Sequence, residues 1–186
     1  LQMINHGIIT GGLFLCIGML YERTHTRMIE DYGGLLKTVP VYMTFFTIFT
    51  LAAIGFPGLN AFVGEFLIIS GAFKTNMAIA AFSIIGIVLG TCYMVSLYYR
   101  IGFNEIKAST KPKLFDLELR EIVTLMPLVI LVFLIGLQPE ILLSYMHVSV
   151  EHLFEQIHNT PNIEDYNLSD SIHLMVQNLK KYFIRG

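Results

Sequence analysis

The chain has 186 residues, of which 54% are hydrophobic and only 14% charged, and its formal net charge is -2. Ordinary soluble domains carry roughly a quarter charged residues, so composition excludes a soluble globular core as the natural reading, and no basic stripe is present for a nucleic acid. No Asp, Glu, Lys or Arg occurs in residues 1–21, 38–64, 75–99 or 122–139, and about 20 mostly apolar residues in a helix cross a hydrocarbon layer roughly 30 Å thick. Closed barrels also cross bilayers, but on strands of about ten alternating residues. Runs such as AIAAFSIIGIVLG (78–90) do not alternate. The fold class is therefore all-α, a polytopic transmembrane helix bundle.

The first predicted span covers residues 1–21. The chain opens in mid-hydrophobic stretch, without an initiating Met or a basic lead, and is read as the later part of something longer. Gly7, Gly11 and Gly18 share one face of this span, where small residues allow neighbouring helices to approach. Residues 22–38 form a polar connection with a turn at Tyr32-Gly33-Gly34.

The second span, residues 39–73, would be over 50 Å long, by rough estimate, as one helix at 1.5 Å per residue. Gly55, Pro57 and Gly58 sit in its middle. Proline lacks the donor N–H and clashes with the turn before it, while glycine accepts the dihedrals of an unwound point. The prediction is one discontinuous helix with halves at 40–55 and 59–73; a re-entrant hairpin of two short helices is the alternative. Broken backbone at membrane depth survives only when buried in protein or lining a hydrated cavity.

The third span, 77–99, places Gly86 and Gly90 on one face and ends at the interfacial Tyr98 and Tyr99. A mixed-charge connection follows at 100–120. The fourth span, 121–137, carries Pro127 near its entry. Residues 1–140 thus form a transmembrane domain, and 141–186 a tail of different character. Within the tail, 141–157 reads as an amphipathic helix, broken at Thr160-Pro161-Asn162, with a second short helix at 172–183. Cys16 and Cys92 lie inside apolar segments and are read as reduced, packed thiols.

With one crossing across the break, Arg23, Arg27, Lys37, Arg100, Lys107, Lys111, Lys113 and Arg120 fall on one side, eight of the twelve basic residues. That side faces the cytoplasm or the mitochondrial matrix. Among the candidate functional residues Glu65 is the strongest. An ionisable group at membrane depth is costly, faces a bundle interior and marks an ion or proton path; the alternative is a carboxylate that only ties helices together. His6 is the second candidate for proton transfer, since imidazole can accept and donate a proton on different nitrogens. Its depth is about 8 Å below the outer surface and that of Glu65 about 12 Å, counted along untilted helices. His25, beside Glu22, Arg23 and Arg27, is a candidate mouth of an inner-side path, with a solvated loop residue as its plainer reading. Lys74 reads as an interface anchor. The tail histidines His147, His152, His158 and His173 lack metal-ligand spacing, and Asn167-Leu168-Ser169 is a weak glycosylation match. No metal site, nucleotide loop or cofactor-binding motif is found in the sequence.

The stretches NHGIITGGLFLCIGMLYERTHTRMIEDYGGL (5–35) and GFPGLNAFVGEFLII (55–69) together resemble the later part of the ND4/NuoM family, the antiporter-like membrane subunits of NADH:quinone oxidoreductase, respiratory complex I. The resemblance covers residues 1 to about 150. It implies a proton-translocating subunit without a redox site of its own, coupled to partners that carry NADH, FMN, iron–sulfur clusters and quinone. It also implies neighbouring antiporter-like subunits in a bacterial plasma membrane or mitochondrial inner membrane. His6 then matches the family's histidine on the helix before the broken one, and Glu65 its glutamate on the broken helix, at the outward end of a hydrophilic axis. The family's earlier helices, with their glutamate–lysine pair and central lysine, are outside this chain, so a partial sequence or a split subunit is expected. Two alternatives stand beside this: a membrane subunit of a multi-subunit cation/proton antiporter or energy-converting hydrogenase, and a non-conducting structural fragment of such a complex.

Overall fold

The computed structural model describes residues 1–105 and 114–159. The helices are α1 Gln2–Thr24, α2 Leu35–Thr38, α3 Pro40–Ala53, α4 Asn60–Thr75, α5 Met77–Gly102, α6 Leu119–Leu137 and α7 Glu140–Asn159, with a short 3-10 turn at Ile29–Asp31. Among the described residues there is no strand. Helices α1, α5 and α6 are each long and apolar enough to cross a membrane, and together with the broken pair α3/α4 they make an integral, multi-pass bundle. The chain divides into two compact units, Leu1–Leu143 and Ser144–Gly186. Most of α7 belongs to the second, where Tyr145, Val148 and Phe154 are exposed. The tail features at 160–186, including Asn167 and His173, lie outside the described residues, as does the side chain of His158.

Within the first unit, α1 packs on α3, α4 and α6. Phe49 is fully buried at their centre with Leu35, Met43, Leu125 and Cys16. Close approach of α1 and α3 depends on Gly12, because a Cβ there would collide with the Phe49 ring. This corrects the sequence reading: Gly7, Gly11 and Gly18 have no neighbour within 4 Å of a built Cβ, so the glycine that seats a partner lies between them on another face. Cys92 is likewise exposed while Cys16 is buried.

The break between α3 and α4 follows from local chemistry. The Gly55 amide donates to Ala52 O (3.2 Å) and the Phe56 amide to Leu51 O (3.0 Å), the paired bonds of a Schellman cap. That cap needs a left-handed residue just past the helix, and Gly55 supplies it with φ 72°. Pro57 follows and cannot continue the helix. Gly58, at φ 92°, turns the chain into Leu59 before α4 starts. Helix α6 buttresses the break: a Cβ at Gly136 would meet the backbone of Gly58 and Leu59. Pro127 sits inside α6 without ending it.

At the opposite end of the bundle the connections are tied by charge. Arg23, in the last turn of α1, donates to Glu121 of α6 through both terminal nitrogens (2.8 and 2.6 Å) and to the carbonyls of Met19, Phe115 and Asp116. Both side chains of this pair are less than a tenth exposed. Asp116 in turn accepts from the amides of Val41 and Tyr42 (2.8 and 2.9 Å) and so caps α3, whose first residue is Pro40. Glu118 and Glu121 close a reciprocal capping box on α6. Tyr32 donates to Thr26 O and shares a hydrogen bond with Thr24; burial pushes its hydroxyl above the usual tyrosine range, partly offset by Thr24.

Candidate functional site

Glu65 is the sixth residue of α4, and its carboxylate is held at the break. One oxygen, Oε2, lies so close to Gly55 that a Cβ there would collide with it, and the other, Oε1, accepts from Gln2 Nε2 of α1 at 3.5 Å. Glycine at 55 therefore serves two needs, the left-handed cap and room for the carboxylate. The side chain is half-buried and borders a cavity of about 280 Å³ lined also by Ala53, Ile54, Ser83, Gly86, Gly90 and Thr91. The two glycines that the sequence places on one face of α5 thus face the broken helix. The Ser83 and Thr91 hydroxyls donate back to Ile79 O and Ile87 O (2.9 and 3.0 Å), leaving their oxygens able to accept.

Below the carboxylate, α1 and α4 meet along polar residues. Asn5 Nδ2 donates to the Asn60 carbonyl at 2.8 Å, and Asn60 Nδ2 reaches Asn5 O and Oδ1 at 3.4 Å each. Both asparagines are fully buried. Gln2, Asn5 and Asn60 were not singled out from the sequence. The signal that could have found them is their register: Gln2 and Asn5 are three apart, on one helix face, in a span otherwise poor in polar side chains.

The other predicted residues are placed as follows. His6 has an exposed side chain, four residues on from Gln2, and the α1 residue bonded to Glu65 is Gln2. His25 is the left-handed C-cap of α1 (φ 56°), exposed, with its ring edge-on to Tyr21 at 5.8 Å. Lys74 lies in the last turn of α4. Among the described residues no three His, Cys, Asp or Glu side chains gather as a metal ion would need.

The fold defines a multi-pass membrane helix bundle that carries an ionisable group on a discontinuous helix. The family model for NADH:quinone oxidoreductase/Mrp antiporter transmembrane proteins matches residues 1–90. The chain is 41% identical over 155 residues to NADH-ubiquinone oxidoreductase chain 4 of Marchantia polymorpha, covering 83% of this chain and 31% of that protein. It is 40% identical over 157 residues to NADH-quinone oxidoreductase subunit M of Rhodobacter capsulatus, covering 84% and 31%. A chain of respiratory complex I from Thermus thermophilus with bound NADH superposes with a TM-score of 0.68 at 33% identity, over 74% of this chain and 29% of that one. In sequence and in fold, this chain matches the subunit M/ND4-like antiporter family of NADH:quinone oxidoreductase. It spans about a third of the length of the curated relatives it matches.

Proposed function

We propose that this chain is part of a proton-translocating membrane subunit of NADH:quinone oxidoreductase, with residues 1–140 forming the C-terminal portion of its antiporter-like domain. Electron transfer from NADH through FMN and iron–sulfur clusters to quinone takes place in partner subunits, and neighbouring antiporter-like subunits flank this one. The observation that carries the reading is the Glu65 carboxylate seated on a broken helix beside a cavity with hydroxyl-bearing walls. A charged carboxylate is costly in a low-dielectric slab, and one that takes up and releases a proton moves between a form the slab tolerates and a form it penalises. Movement of nearby charge or water, driven by the redox partners, tips that balance. Glu65 exchanges protons through the cavity, and His6, one turn along α1 from Gln2, passes them on. His25 stands at the end of α1 as a candidate inner-side mouth.

Glu65→Gln in the intact complex tests this. The account expects assembly and NADH oxidation to persist while protons moved per electron fall; unchanged pumping sinks the role of Glu65. A cation/proton antiporter subunit is the second reading, favoured by the family model's own scope, which includes such antiporters. Partners that co-purify with flavin and iron–sulfur clusters support the first reading, and their absence supports the second. Intact pumping after neutralising both Glu65 and His6 would leave a purely structural role.

A further inference from the structure

Between α1 and the start of α4 runs a polar seam that the proton-relay reading does not use. Asn60 is fully buried, yet its Oδ1 accepts no hydrogen bond among the described residues, and neither does the buried Oε1 of Gln2. An unpaired buried acceptor forfeits the hydrogen bonds it would make in water, and this seam carries two. Asn60 and Gly64 are one turn apart on α4, and a Cβ at Gly64 would collide with Gln2 Oε1 and lie 3.1 Å from Asn5 Nδ2. Glycine at 64 is what lets both α1 amides lie against α4. Leu59 offers no side-chain cap to the first amides of α4. Water supplies donors and acceptors together, and a buried water needs two to four polar partners, roughly the number this seam presents.

We propose that Gln2, Asn5 and Asn60 form an amide seam that binds ordered water against Glu65 and gives its proton a hydrated exit toward α1. This rests on the proton-relay reading of Glu65. Asn5 is the fixed post, locked to the Asn60 carbonyl. Gln2 is the positioning residue: its Nε2 steadies Glu65 Oε1 while its Oε1 holds water. A proton leaving the carboxyl passes to that water as the water gives another onward, so one proton moves and nothing is consumed. Carboxamides suit this role because they bind water at both ends without themselves taking up charge.

The test uses the intact membrane complex. A high-resolution map is expected to show water within hydrogen-bonding distance, about 2.7–3.2 Å, of Gln2 Oε1 or Asn60 Oδ1; a dry seam, or protein donors on both atoms, overturns the proposal. Gln2→Leu is expected to slow proton exchange at Glu65 about tenfold, the rate equivalent of one hydrogen bond to a charged group, seen as slower pumping, and to shift the infrared carboxyl stretch of protonated Glu65. Asn60→Leu should lower pumping while Asn60→Asp, which keeps an oxygen in place, restores part of it. If Glu65→Gln abolishes pumping while Gln2→Leu leaves both pumping and the carboxyl band unchanged, the seam falls and the relay stands. If Glu65→Gln pumps normally, the relay itself falls.

Discussion

At the scale of single residues, Gly55 and Arg23 carry opposite demands. Gly55 must be left-handed for the cap and must lack a Cβ for Glu65 to fit. Gly55→Ala fails on both counts: a non-glycine residue at positive φ costs roughly 1–2 kcal/mol, and its methyl displaces the carboxylate. The variant should assemble with reduced yield and pump poorly, as followed by vesicle acidification; pumping equal to the parent would show that the carboxylate does not need this seat. Arg23 and Glu121 form a bidentate pair less than a tenth exposed. Arg23→Met strands a buried carboxylate and should cost about 3–5 kcal/mol, seen as a lower unfolding temperature, whereas Arg23→Glu with Glu121→Arg should recover part of it. Glu65 was readable in the sequence because a lone charge interrupts a long apolar run. Arg23 was not, because its partner lies 98 residues away and loop charges look alike until the fold pairs them.

At the scale of elements, the break in the second span was readable to within a residue or two, since Gly-Phe-Pro-Gly contains both the left-handed position and the stop. What holds it was not. Support comes from Gly136 of α6, whose bare Cα admits the backbone of Gly58 and Leu59, and a glycine in an apolar helix gives no hint of what will press on it. Gly136→Val should push α6 off the break, costing about 1–3 kcal/mol as overpacking, with pumping lost more than NADH oxidation by the assembled complex; equal pumping would show α6 to be a bystander. The cap on α3 comes from Asp116, across the bundle. Asp116→Ala should cost about 0.5–2 kcal/mol, read as a lower unfolding temperature without a change in pumping per electron. For α1 the sequence pointed to the wrong glycines, because spacing identifies a shared face but not which face is occupied.

At the scale of the whole molecule, α5 explains why composition was so informative. Met77, Ile79, Phe82 and Leu89 are all exposed along it, a surface that would be a liability in water and suits an apolar surrounding. A membrane accounts for an apolar exterior; among the polar groups between the helices, the Glu65 carboxylate and the amides of Gln2, Asn5 and Asn60 beside it are the ones to which the proposed function gives a role. The central claim is that Glu65 changes protonation as the complex turns over. Infrared difference spectroscopy of the intact complex during NADH oxidation measures this directly. The account predicts a deuterium-sensitive carboxyl stretching band that forms or decays with turnover and is missing in Glu65→Gln. A parent spectrum with no such band, or a band that persists in Glu65→Gln, would contradict it.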